Sequence, residues 1–252
     1  MKKYFYILAI GVVFLTTSCD GLFNNVSDGL SSDEVISGLK TALNAGTDSS
    51  VNILHASDGY YKDAAVKILL PPEGQVLYKY TSQIESVIGS NYLEQMVLRV
   101  NRAAEDAATE AKPIFVDAIT SMTFEDGLNI LNGKTPGIAA FDSIAATTYL
   151  KSKTYTALVA LFAPKIDVSL NKPILGGVSA NEAWKTATGY WNTYIVIFGE
   201  APINGTLGEY TTGKALDGLF YKVGLEEKKI RKDPMKWASD IIQKVFGSVF
   251  KG

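Results

Sequence analysis

Along most of the chain apolar residues return every three or four positions, and stretches alternating apolar with polar are hard to find, so the pattern predicts an all-α protein. Ser31 with Glu34 three residues on resembles a capping box, and Val35, Ile36, Leu39, Ala42 and Leu43 follow at helical spacing until Gly46 stops the turn. Val51, Ile53 and Leu54 continue in a second short helix, which Asp58-Gly59 ends. Lys67 to Pro72 is expected to be an extended strap, because a residue before proline avoids the α region. A helix is expected over 73–88, broken by Gly89-Ser90-Asn91, and another over 91–112. In the latter, Leu93, Met96, Val97, Val100, Ala104, Ala107, Ala108 and Ala111 form one stripe whose alanines imply a close helix neighbour.

Pro113 starts the next helix, Phe124–Leu131 follows, and Asn132-Gly133 is its stop. After a turn at Thr135-Pro136-Gly137, a long helical pattern runs from Ile138 to Phe162 and ends before Pro164, with one or two further turns over 166–171. Lys172 to Gly177 is a loop and Ala180–Tyr194 a helix, while Ile195 to Phe198 fits a buried strand as well as a helix end. Thr211 or Thr212 caps a helix bearing Leu216, Leu219, Phe220, Val223 and Ile230, and Asp233-Pro234 halts it and opens the next. Trp237, Ala238, Ile241, Ile242, Val245 and Val249 make a closing amphipathic helix.

The first residues follow another logic. Lys2 and Lys3 precede an apolar run from Tyr4 to Leu15, and Leu15-Thr16-Thr17-Ser18-Cys19 sets small residues before a cysteine, as a lipoprotein signal does. From Tyr4 to Thr17 there are only 14 residues, where a bilayer core needs roughly 20, so residues 1–18 are expected to be cleaved as a signal peptide. Cys19, the chain's one cysteine, would then carry fatty acyl chains such as palmitate, and two or more such chains give stable anchoring. Residues 19–30 become a lipidated cysteine with a flexible tether spanning at most about 40 Å. Residues 31–252 are the helical domain. The expected setting is a bacterial cell envelope, on the outer membrane with the domain facing the periplasm.

Charge and composition narrow the functions. Removing Lys2 and Lys3 with the signal leaves 22 basic side chains against 26 acidic ones, a mildly acidic domain that offers no concentrated basic face for nucleic acid. There is one histidine, His55, and no histidine pair, CxxC or carboxylate cluster at metal-ligand spacing, so the sequence calls for no metal or cofactor. Gly133-Lys134-Thr135 lacks the preceding glycine spacing and strand of a phosphate loop, and Asn204-Gly205-Thr206 is a chance match to a glycosylation sequon.

Polar residues on apolar stripes are the remaining candidates. Asn101 lies between Val97 and Ala104, and Arg102 and Glu105 stand one turn apart on the same helix. They fit either an internal network or a pocket gripping an anionic or amide-containing ligand. Glu227 falls between Val223 and Ile230 and needs a cation if buried, for which Arg102 is a candidate; alternatively Glu226 to Lys232 form a solvated charged turn. Tyr60-Tyr61-Lys62 either line a groove or cover the core edge.

The segments Asp58 to Lys62, Asn101 to Glu105, Ala111 to Phe115 and Asp217 to Tyr221 together resemble the bacterial lipoprotein family catalogued as domain of unknown function 4197. Met122 to Gly133, Thr148 to Lys151, and Glu226 to Arg231 with Asp233-Pro234 agree with it, and the resemblance runs from about Leu30 to Gly247. It implies a secreted, largely helical, lipid-anchored envelope protein, and it implies no activity or active-site residues. The expected function is therefore a non-enzymatic binding or scaffolding domain, with an envelope protein or a lipid-like ligand as partner and the membrane engaged through Cys19. Two alternatives stand beside it. One is a carrier with an interhelical cavity for a hydrophobic or lipid-like ligand, its head group held by Asn101 and Arg102; the other is a hydrolase using Glu105, Asp126 or Glu227.

Overall fold

The structure, a computed structural model, describes residues 30–249. Ten α-helices are formed among them: α1 (Ser32–His55), α2 (Val76–Lys79), α3 (Thr81–Ile88), α4 (Tyr92–Ala107), α5 (Ala111–Thr120), α6 (Phe124–Leu131), α7 (Ala145–Leu170), α8 (Ala180–Phe198), α9 (Leu207–Lys232) and α10 (Asp240–Val249). The sheet structure among these residues is one hairpin of β1 (Pro173–Leu175) and β2 (Val178–Ser179), paired antiparallel with Leu175 opposite Val178. The protein is all-α, as its periodicity indicates. No helix among the described residues is long and apolar enough to cross a membrane. The expected signal peptide, Cys19 and the tether up to Gly29 lie outside the described residues.

Local signals explain most helix starts. Ser31 Oγ accepts from the Glu34 N–H at 3.2 Å while Glu34 Oε2 accepts from the Ser31 N–H at 2.9 Å, a complete capping box. Thr123 with Asp126 and Ser179 with Glu182 build the same device at α6 and α8. At the hairpin, Gly176 and Gly177 have φ of 55° and 85°, the left-handed pair that a two-residue turn requires.

Several helices outrun the local expectation. Gly46 does not stop α1: Leu43, Gly46, Thr47, Ser50, Val51 and Leu54 stay buried at helical spacing, and that burial outweighs one glycine's propensity. Pro164 lies inside α7 rather than beyond it. Its missing N–H deprives only the Ala160 carbonyl, on a solvent-exposed stretch, while Ile166 and Leu170 are fully buried on the other side. Conversely α7 starts at Ala145 and not at Ile138, because the preceding loop folds back: the Asp142 N–H donates to Gly133 O at 2.8 Å and the Phe141 ring lies on Gly133. Thr206, and not Thr211 or Thr212, caps α9; those two hydroxyls donate back to Leu207 O and Gly208 O. Ile195 to Phe198 finish α8 as helix.

The central helix is α7. Ala146, Leu150, Thr154, Leu158, Phe162, Ile166 and Leu170 are buried at intervals of four. Four residues overshoot a full turn by about 40°, so the buried line slides around the helix as it climbs. This lets α7 pack against α9 and α4 and also against α5 and α6. Around it, α1 rests on α9, α10 and α5, and α8 covers α3 and α4. One apolar core joins them, running from Val35 in α1 to Phe246 in α10.

Candidate functional site

Asn101, Arg102 and Glu105 come together on α4 and grip the segment between α1 and α2. Asn101 is fully buried; its Nδ2 donates to Ile68 O at 2.7 Å and its Oδ1 accepts from the Ile68 N–H at 2.8 Å, so one amide occupies both backbone groups of the extended strap. Glu105 Oε1 accepts from the N–H groups of Tyr60 and Tyr61 at 3.2 and 3.3 Å. Its Oε2 accepts from Arg102 Nη1 at 2.6 Å, and Arg102 Nη2 donates to Asp58 Oδ1 at 2.6 Å. Glu105 foremost, with Asp58 adding and burial opposing, raises the Arg102 pKa; Lys62 first and Arg102 second hold the Asp58 carboxyl below its usual value. His55 Nδ1 lies 3.0 Å from the Glu105 carbonyl.

This arrangement continues inward through Tyr60, whose hydroxyl donates to Ala215 O at 2.7 Å. Burial, with the Glu105 charge adding, pushes the phenol pKa up. A Cβ at Gly218 would stand 2.7 Å from the Tyr60 ring, so that glycine is what lets the ring reach α9. Tyr60 belongs to the core and does not line a groove.

Glu227 sits elsewhere, and its cation is Arg231 rather than Arg102. Glu227 Oε1 accepts from Arg231 Nη2 at 2.7 Å and Nε at 3.0 Å. The same carboxylate accepts from the N–H groups of Ala146 at 3.0 Å and Thr147 at 2.8 Å, which are orphan donors at the start of α7. Arg231 Nη2 and Nη1 donate to the carbonyls of Ile130 and Leu131 at 2.7 and 3.2 Å, at the end of α6. An anion thus meets a helix N-terminus and a cation a helix C-terminus, the pairing favoured by the helix dipoles. Glu226 to Lys232 are therefore not simply a solvated turn: the sequence reading missed Arg231, whose signal was its i, i+4 spacing from Glu227. Asp126, the third carboxylate considered, accepts from the Thr123 N–H at 3.0 Å and hydroxyl at 2.8 Å within the α6 cap.

These networks leave little internal room for a ligand. The cavity beside Glu227 and Arg231, lined by Leu39, Leu43, Val223, Ile230 and Phe246, measures about 20 Å³, enough for a water. Among the described residues no three of His, Cys, Asp and Glu gather so as to hold a metal ion.

A feature that no sequence motif indicated is an open groove of about 990 Å³ formed by α7, α8 and the start of α9. From α7 come Tyr155, Val159, Ala163 and Asp167 at four-residue spacing; from α8, Asn181, Trp184, Lys185 and Thr188; and from the third element, residues 203–209 with Thr212 and Gly213. The 201–205 segment is laced to α8: Trp191 Nε1 donates to Ala201 O at 3.1 Å, Asn192 exchanges two 2.9 Å bonds with the Ile203 backbone, and Trp184 Nε1 donates to Gly205 O at 3.0 Å. Side chains of Asp167, Lys185 and Asn204 make no hydrogen bond or ion pair among the described residues; Lys185 and Asn204 are exposed at the groove, and the Asp167 carboxylate lies against Gly208 at the start of α9. Their convergence was invisible in the sequence, because three ordinary polar residues from separate elements come to one groove only when the chain packs.

Comparison with known families gives a match over residues 29–247 to a family described as a protein of unknown function (DUF4197). No curated protein matches the chain, and neither does any solved structure.

Proposed function

The chain belongs to the DUF4197 family, and from that premise we propose that it is a non-enzymatic binding or scaffolding domain of a bacterial envelope. Lipid on Cys19 holds it on the membrane, with the body in the periplasm. The anchoring part is supported by the residues of the leading segment: paired lysines, a short apolar run, and small residues before a single cysteine.

The binding part is carried by one contrast. Asn101, Arg102, Glu105 and Glu227 are occupied in tying helices together, whereas the groove of about 990 Å³ keeps Lys185 and Asn204 exposed on a rim fixed by Trp184 and Asn192. A preformed concave site with a few convergent polar groups is the ordinary form of a ligand site. The carrier reading lacks a comparable observation, since a cavity of about 20 Å³ admits no acyl chain. The hydrolase reading requires carboxylates open to substrate, and both Glu105 oxygens and both Glu227 oxygens already accept from internal donors.

Two measurements test this. Mass spectrometry of the membrane-extracted protein should show residues 1–18 removed and acyl chains on Cys19; an unmodified Cys19 thiol refutes the anchor. A photo-crosslinking residue at position 185 or 204 should form a discrete adduct in cells that the same residue at exposed position 228 does not; equal labelling at all three sites removes the groove as the binding surface.

A further inference from the structure

We propose that the loop between α6 and α7 docks on the anionic phospholipid surface that holds Cys19, so that the body rests on the membrane by one fixed end. This rests on the anchoring reading above and adds a second, non-covalent contact to it. Pro136, Gly137, Ile138, Ala139, Ala140 and Phe141 are successive apolar residues and every one is exposed, Ile138 by 49 % and Phe141 by 57 %. Single exposed apolar side chains are ordinary, but a run of roughly four or more is out of place on a solvated surface unless something covers it. The neck of the loop is fastened. The Asp142 N–H donates to Gly133 O at 2.8 Å, the Thr135 hydroxyl to Asp142 Oδ2 at 2.7 Å, and the Ile138 N–H to Thr135 O at 3.0 Å. These bonds present the apolar tip outward instead of letting it fold onto the core.

The occupant follows from where the chain leaves the fold. Arg231 bonds to the last carbonyls of α6 and Glu227 to the first N–H groups of α7, so the loop joining those helices lies at the end where α9 finishes. Helix α1 begins at that same end: Ile36 packs over Gly127 of α6, and Glu34 pairs with Lys244 of α10. Leu30 stands about 9 Å along α1 from Ile36, and Gly133 about as far along α6 from Gly127, both well inside the span of about 40 Å open to residues 19–30. Acyl chains on Cys19 can therefore lie beneath the loop. Because the tether makes the second contact intramolecular, a few inserted side chains suffice where a free protein would need a larger patch.

Charge favours the same surface. Lys134 in the neck and Lys232 in the last turn of α9 are exposed and form no ion pair among the described residues, and the neighbouring Arg231 lies 5.7 Å from the Phe141 ring centroid. The one carboxylate of the loop, Asp142, is turned into the neck, where it accepts from the hydroxyls of Thr135 and Thr148 and the Ile144 N–H. Cations flanking an apolar tip meet a phospholipid surface with the lysines at the phosphates and Ile138 and Phe141 at the acyl boundary. A protein partner would also cover an apolar tip, but nothing ties such a partner to the end from which the tether leaves.

The test places the membrane-extracted protein in vesicles of phosphatidylethanolamine and phosphatidylglycerol that contain a phospholipid with a diazirine in its acyl chain. After illumination, mass spectrometry should find label on residues 138–141 about tenfold above that around Val168, a side chain 65 % exposed near the other end of α7. Ile138→Asp should cut the loop label about fivefold or more while leaving the circular dichroism melt unchanged, and Lys134→Glu should lower it as well. The proposal is overturned if the two regions label equally, if Ile138→Asp labels as the parent does, or if a photo-crosslinking residue at position 138 captures a second copy of the chain instead of lipid. Acylated Cys19 with label confined to residues 19–30 overturns the docking and leaves the anchor; an unmodified Cys19 thiol in the same sample removes the anchor and the docking with it.

Discussion

Glu227 stands between two helix ends of opposite polarity, and its side chain closes both through Arg231. Removing one member of a buried pair strands the other, which typically costs about 3–5 kcal/mol. Glu227→Ala should therefore lower unfolding stability by about that much in urea titrations, since it also leaves the Ala146 and Thr147 N–H groups unpaired; an unchanged transition midpoint would refute this role. Asp142 provides a pH-dependent counterpart. Burial pushes its carboxyl up, but the Ile144 N–H, the hydroxyls of Thr135 and Thr148 and the Arg231 charge outweigh that and hold it below the usual aspartate range. A depressed carboxyl contributes stability above its unfolded pKa of about 3.9 and loses it as pH falls through the folded value. The drop in Tm between pH 7 and pH 3 should accordingly shrink in Asp142→Asn; an unchanged drop would refute this role. Individual residues were legible where their partners are close in sequence, as with Ser31 and Glu34. Asn101 was legible as a buried amide, though its partner Ile68, 33 positions away, was not.

At the scale of elements, helix existence followed from periodicity, and errors gathered where packing overrides a local stop. Gly46 and Gly38 show how to separate the two effects. A Cβ at Gly46 would make ordinary contacts, 3.5 Å from Glu226 and 3.8 Å from Ile230, so Gly46→Ala should stabilise the protein by up to about 1 kcal/mol through helix propensity. At Gly38 the Cβ would stand 2.6 Å from Val245 Cγ2 and 3.0 Å from Ile241 O, so Gly38→Ala should destabilise by displacing α10 from α1. Thermal melts of the two variants should shift in opposite directions. The start of α9 was misplaced for a related reason: Thr206, Thr211 and Thr212 are equally good caps by residue type, and only the lacing of 201–205 to α8 determines which one ends the loop.

At the scale of the molecule, α1, α4, α7 and α9 share one core, so unfolding should be a single transition. Near-ultraviolet and far-ultraviolet circular dichroism melts should coincide; a separate early loss of the tryptophan signal would mean that α8, with Trp184 and Trp191, or the segment of Trp237 ahead of α10 yields independently. The all-α class was legible because helical period is a local property. The groove was not, since it arises from the relation of three helices far apart in sequence. One contact between the outermost helices has a topological consequence. Lys244 in α10 bonds to Glu34 in α1, and Val245 packs on Gly38. The path of the backbone thus nearly closes on itself like a ring with a single gap. A protein joined across that gap and opened instead at the exposed Pro136-Gly137 turn keeps every buried contact, and should return from denaturant to the same shape.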